Sequence, residues 1–113
     1  MGVQILLTTC STQEEAESLG QRLVEERLAA CATAVPGATS LYRWQGKLMR
    51  DAECLLLLKT AADRVPEVQS RLHELHTYEC PEFIVLAVDS ASAPYEAWVS
   101  EAVRVQPRGA KDG

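Results

Sequence analysis

The densest set of reactive side chains in the chain falls in one short run, His76-Thr77-Tyr78-Glu79-Cys80-Pro81, which sets an imidazole, a phenol, a carboxylate and a thiol within five residues. Imidazole, carboxylate and thiolate together suit a borderline or soft divalent ion, and the affinity order of first-row metals ranks Cu(II) and Zn(II) above Mn(II) and Fe(II) at such a set. His76, Glu79 and Cys80 are therefore candidate ligands on a loop closed by Pro81. The spacing contains no paired-ligand motif of the knuckle or helical type, and His76 also reads as a helix C-terminal histidine whose charged form would favour the negative end of the dipole.

Other chemistries find less support. The four cysteines, Cys10, Cys31, Cys54 and Cys80, are widely spaced with no C-x-x-C pair, which argues against zinc ribbons and thioredoxin-like redox motifs. Cys54, inside an apolar run, reads as a small core hydrophobe. The six glycines form neither G-x-G-x-x-G nor G-x-x-x-x-G-K, so phosphate binding has no motif behind it. With two histidines, of which His73 falls on the polar side of its helix, no nucleophile, base and orienting group assemble, and an enzyme is not expected. Tyr42, Trp44, Tyr78 and Trp98 read first as core or interface aromatics.

The elements that must position the loop follow from periodicity. Val3 to Thr9 is apolar at its centre, as in a central strand covered on both faces. Thr12 with Glu15 fits a capping box opening a helix, along which Ala16, Leu19, Leu23 and Leu28 form one apolar stripe. Ala32 to Trp44 reads as a strand kinked or bulged at Pro36-Gly37, and Gln45-Gly46 as a tight hairpin turn. Lys47 to about Thr60 is the return strand. Asp63 caps a second helix with Val65, Val68, Leu72 and Leu75 on one face and Pro66 in its first turn. Glu82 to Val88 is a fourth strand, and Pro94 to Val103 a third helix. The order β-α-β-β-α-β plus a terminal helix is the α+β, ferredoxin-like split βαβ pattern, with helices on one face of an antiparallel sheet. One domain occupies residues 1–103, and the polar tail 104–113 is expected to fray.

The return strand contains no Pro or Gly, and its 14 residues would reach about 46 Å. A globule of this length is only about 35 Å across, given a radius of gyration near 13 Å. The hairpin should overreach its own domain and pair with another subunit, so oligomerisation is expected.

The 113 residues, 47% hydrophobic and 24% charged, are those of one ordinary globular domain. No apolar run approaches the roughly 20 residues that span a bilayer. The first residues lack the basic and small-residue features of a secretory leader, which makes the cytoplasm the expected compartment. A net charge of −5 repels phosphate backbones and anionic lipid, so neither nucleic acid nor membrane is an expected partner.

Several segments together carry a more specific signal: Leu23 to Thr33 (LVEERLAACAT), Pro36 to Leu48 (PGATSLYRWQGKL), Leu58-Lys59-Thr60, and His76 to Glu82 (HTYECPE), with Thr8-Thr9-Cys10, Tyr95 and Trp98. From Ile5 to Val103 the chain resembles the CutA divalent-cation tolerance family. The resemblance implies a ferredoxin-like subunit in a homotrimer, association with divalent cations and with copper above all, and no established catalysis. It places metal-binding positions on His76 and a thiol near the end of the first strand, so that His76, Glu79 and one or more of Cys10, Cys31 and Cys80 would supply ligands. Copper-associated relatives carry a further His where this chain has Leu75, and a first-strand Cys aligned with Thr8. The runner-up expectation is a trimer of the PII signalling kind that binds a small effector or protein partner in an intersubunit cleft, with Lys59, Tyr78, Tyr42, Trp44 and Glu79 as cleft contacts.

Overall fold

The computed structural model describes residues 2–104, so that nearly all of the tail expected to fray lies outside the described residues. Its elements are β1 (Val3–Cys10), α1 (Gln13–Glu25), β2 (Cys31–Trp44), β3 (Lys47–Ala61), α2 (Val65–Leu75), β4 (Ile84–Ala87) and α3 (Ala93–Ala102). The four strands form one antiparallel sheet in the order β2-β3-β1-β4, which puts β1 in the interior as its apolar run requires. This is the expected ferredoxin-like α+β arrangement.

The pleat divides the strands cleanly. Leu6, Thr8 and Cys10 of β1, with Cys54, Leu56 and Leu58 of β3, are buried beneath α1 and α2 and pack with Ala16, Leu19, Leu23, Val68 and Leu72. The alternate residues Ile5, Leu7, Leu55 and Leu57 point to the other face, where direct pairing adds Ile84, Leu86 and Val35. α1 and α2 leave that second face open. The helices are not all on one side, however: Val99 and Val103 of the α3 segment pack on Val3, Ala30 and Ala61, covering one end of the open face.

Turn chemistry sets the register. Gln45 and Gly46 both adopt positive φ, 50° and 79°, the mirror-image turn that matches strand twist. Pairing runs from Trp44↔Lys47 back to Ala38↔Glu53, then slips at Pro36-Gly37, where Gly37 has φ 80°. The bulge shifts which β2 residues face the open side, so that Ser40, Tyr42 and Trp44 join it beyond Pro36. The hairpin does overreach: the molecule extends 50 × 31 × 22 Å, and the distal arm exposes Leu41, Tyr42, Trp44 and Leu48.

Local expectations fared unevenly. Thr12 caps α1, its Oγ1 accepting from the Glu15 N–H at 3.1 Å. The Glu15 carboxylate does not close the box; it accepts instead from the Ser11 and Thr77 hydroxyls. Leu28 is buried but lies beyond the helix, which ends through Arg27 at φ 59° with the Leu28 N–H bonded to Leu23 O. Asp63 caps nothing. It sits in a 3-10 turn, Ala62–Arg64, and buried Arg64 precedes α2, bonding Glu67 at 2.6 Å and the Arg27 carbonyl at 3.3 Å. β4 is shorter than the span 82–88 because the loop around Pro81 joins the sheet only at Ile84.

α1 lies against β2 with one close approach. A Cβ added at Gly20 would sit 2.8 Å from the Ala32 Cβ, a stem atom that moves only with its strand. Gly20→Ala gains about 1 kcal/mol in helix propensity. The overlap outweighs it, so urea denaturation should show a net loss of about 1–2 kcal/mol.

Candidate functional site

α2 terminates at His76, whose extended backbone (φ −74°, ψ 143°) turns the chain back toward the start of α1 and the end of β1. The imidazole is held by both nitrogens. Nε2 lies 2.8 Å from the Thr9 carbonyl, and the Tyr78 backbone N–H donates to Nδ1 at 3.0 Å. An amide donor on Nδ1 requires the proton on Nε2, so the network assigns the Nε2–H tautomer. His76 does stand at the C-terminus of α2, and its ring nitrogens are engaged by the Thr9 carbonyl and the Tyr78 N–H rather than by the helix's own carbonyls.

Around it the loop is stitched to three elements. The Tyr78 ring packs on the imidazole at a centroid distance of 4.7 Å, and its hydroxyl donates to Glu53 of β3 at 2.6 Å. Burial and the Glu53 carboxylate push the Tyr78 phenol well above its ordinary range. Thr77 bonds Glu15 of α1. Cys10 Sγ is 3.8 Å from His76 Nε2, buried and directly opposite buried Cys54 in the sheet. Burial, with Glu15, Cys54 and Glu53 nearby, pushes the Cys10 thiol up to about 11 from an ordinary 9.0.

That thiol carries a pH signature. Because the folded chain holds the Cys10 proton more tightly than the unfolded chain, its contribution is fully present below about pH 9 and is lost as pH rises through 11. Unfolding free energies from urea titrations should therefore fall over this interval, by up to about 1.4 kcal/mol per pH unit from this group. Cys10→Ala should flatten part of the decline, Tyr78 adding a loss of the same sign at higher pH.

Of the candidate ligands, the structure brings His76 and Cys10 together. Glu79 and Cys80 are exposed, one step further along the loop. Cys31 stands opposite Lys59 in the sheet, five residues along β3 from Cys54 and so about 16 Å away. Thr8 is fully buried, its hydroxyl without a hydrogen-bond partner among the described residues, and Leu75 is partly buried against the main core. Among the described residues, no group of three or more His, Cys, Asp or Glu side chains is arranged to hold a metal ion.

A second feature lies on the open sheet face. A cleft of about 620 Å³ is lined by Thr9, Ser40, Tyr42, Trp44, Asp51, Glu53, Tyr78, Glu79, Cys80 and Glu82, with Leu41 at its margin. The Tyr42 hydroxyl donates to Asp51, which holds the Tyr42 proton more firmly than usual. Lys59 lies outside this cleft, whereas Tyr42, Trp44 and Tyr78 line it. Sequence spacing missed Asp51 and Glu53. The two-residue turn at Gln45-Gly46 carries the signal, since counting pairs back from it puts Asp51 opposite Ser40 and next to Tyr42 on one face.

Strand order and helix placement define a ferredoxin-like α+β protein with a cleft on its open sheet face. Residues 4–102 match the model of the CutA1 divalent ion tolerance protein family, and the chain belongs to that family. The divalent-cation tolerance protein CutA of Thermus thermophilus is 42% identical over 98 residues, covering 87% of this chain and 95% of that protein. Human protein CutA is 36% identical over 99 residues, and the chain spans 55% of its length. The CutA structure from Xylella fastidiosa superposes with a TM-score of 0.89 at 40% identity, covering 92% of this chain and all of that one. The CutA structure from Archaeoglobus fulgidus, described as a periplasmic divalent cation tolerance protein, gives 0.87 at 27% identity, covering 90% of this chain and 99% of that one. Among the described residues no helix is long and apolar enough to cross a membrane.

Proposed function

We propose that this protein is a homotrimeric divalent-cation tolerance protein that binds copper or zinc where subunits meet. The observation that carries the reading is the open sheet face, a continuous surface of Ile5, Leu7, Leu55, Leu57, Ile84, Leu86 and Val35 flanked by an arm that overreaches the domain. A contiguous apolar face of this kind is a feature of oligomer interfaces. Glu79 and Cys80 sit exposed at the edge of the same face, so a ligand from a neighbouring copy can complete a set that one chain leaves short. His76 acts here by positioning the loop, both its nitrogens being occupied. The four free thiols suit a reducing, cytoplasmic setting.

Calorimetric titration with Cu(II) and Zn(II) tests the metal half. Glu79→Gln with Cys80→Ser should weaken binding at least tenfold, and an affinity equal to wild type would reject these ligands.

A second reading, an effector-binding trimer of the PII kind, is favoured by the cleft itself, whose volume far exceeds that of a metal ion and whose lining includes three aromatic side chains.

A further inference from the structure

The cleft on the open face combines two kinds of lining side chain that seldom share a ligand. Asp51, Glu53, Glu79 and Glu82 supply four carboxylates, and none of the four forms an ion pair among the described residues. Tyrosine hydroxyls bond two of them, Tyr42 to Asp51 and Tyr78 to Glu53, which fixes their position without neutralising their charge. The cationic side chain nearest in register, Lys47, pairs with Trp44 at the hairpin end and is not part of the lining. Arg50 pairs with Leu41 and belongs, by the alternation of the strand, to the opposite face.

Tyr42, Trp44 and Tyr78 make up the rest. Aromatic rings attract a desolvated cation through their quadrupoles, and organic ammonium groups are the ions that exploit this, since their methylenes also bury apolar ring surface. A hard divalent metal ion seeks oxygen ligands and water, has no methylenes to bury against the rings, and would leave most of about 620 Å³ unfilled.

We propose that the cleft binds an aliphatic di- or polyammonium cation, with its ammonium groups on the carboxylates and its methylene chain along Tyr42, Trp44 and Tyr78. This deepens the effector-cleft reading above and rests on it. Because the arm and open face also form the proposed subunit contact, a neighbouring copy would close the cleft's outer side.

The test is calorimetric titration of the full chain with spermidine, with light scattering on the same samples. One spermidine should bind per cleft, with affinity falling as salt rises. Asp51→Asn with Glu82→Gln, which changes two exposed carboxylates, and Trp44→Leu should each weaken it at least tenfold. Cys31→Ser, at a position outside the cleft lining, should leave spermidine within twofold of wild type. Absence of binding, wild-type affinity within twofold for the carboxylate double variant or for Trp44→Leu, or displacement by an equal concentration of Mg(II) would each overturn the proposal, the last by reducing it to attraction to an acidic surface. A monomeric mass in light scattering would reject the trimer, whereas the spermidine result decides the cleft's ligand whatever the mass.

Discussion

Leu57→Arg is expected to convert the proposed trimer into free chains of about 12.4 kDa by sedimentation, raising the dissociation constant at least about a thousandfold. Leu57 is central on the open face, paired with Leu7 on one side and Thr33 on the other. A guanidinium there faces water in a lone chain but would be buried unpaired in a trimer, a penalty of several kcal/mol. Its neighbour provides the contrast. Leu58 points the other way, fully buried beneath the helices, so Leu58→Ala should lower the stability of each subunit by about 2–5 kcal/mol while leaving the mass of the folded species unchanged. Because an obligate oligomer need not have a stable monomer, Ile84→Lys at the exposed edge strand gives an independent reading. Wild-type sedimentation of both Leu57→Arg and Ile84→Lys would mean that the face is not the subunit contact.

The Leu57 and Leu58 pair also illustrates how much of the fold is legible in the sequence. Period-two alternation and a turn made of Gln45-Gly46 dictate a hairpin, its register and its length, because few backbones satisfy those residues. The bulge at Pro36-Gly37 is legible for the same reason: Pro36 has no N–H to give the ladder, and Gly37 accepts a positive φ. Helix entry was harder. Asp63 has the right side chain for a cap, but the chain first makes a 3-10 turn, and Arg64 is drawn inward by the carbonyl of Arg27, 37 residues earlier. Such long-range partners leave no local trace.

The loop shows the same limit within a few residues. His76, Tyr78, Glu79 and Cys80 are neighbours in sequence, yet His76 turns to the Thr9 carbonyl beside Cys10, whereas Tyr78, bonded to Glu53, lines the cleft together with exposed Glu79 and Cys80. Adjacency in sequence does not gather these side chains into one set. The partners that define the region, Glu15 at the start of one helix and Glu53 midway along a strand, are identified only once the sheet and α1 are placed.

His76→Ala should therefore act mainly on stability. It removes the donor to the Thr9 carbonyl and the acceptor for the Tyr78 N–H, leaving two partly buried backbone groups without those partners, at about 1–3 kcal/mol each. It also deletes the ring on which Tyr78 packs, and Tyr78 is the loop's hydrogen-bonded link to Glu53. The expected loss of about 2–5 kcal/mol should lower the thermal midpoint by about 8 °C or more at fixed protein concentration, on the scale of about 4 °C or more per kcal/mol for a domain of this size. Copper affinity, measured well below that midpoint, separates the two roles open to the residue. A positioning residue gives a modest fall, largely rescued by His76→Gln, whose amide carries both a donor and an acceptor. A direct ligand gives loss of binding that Gln does not restore, and that result would move the metal inward to the Cys10 pocket and away from Glu79 and Cys80.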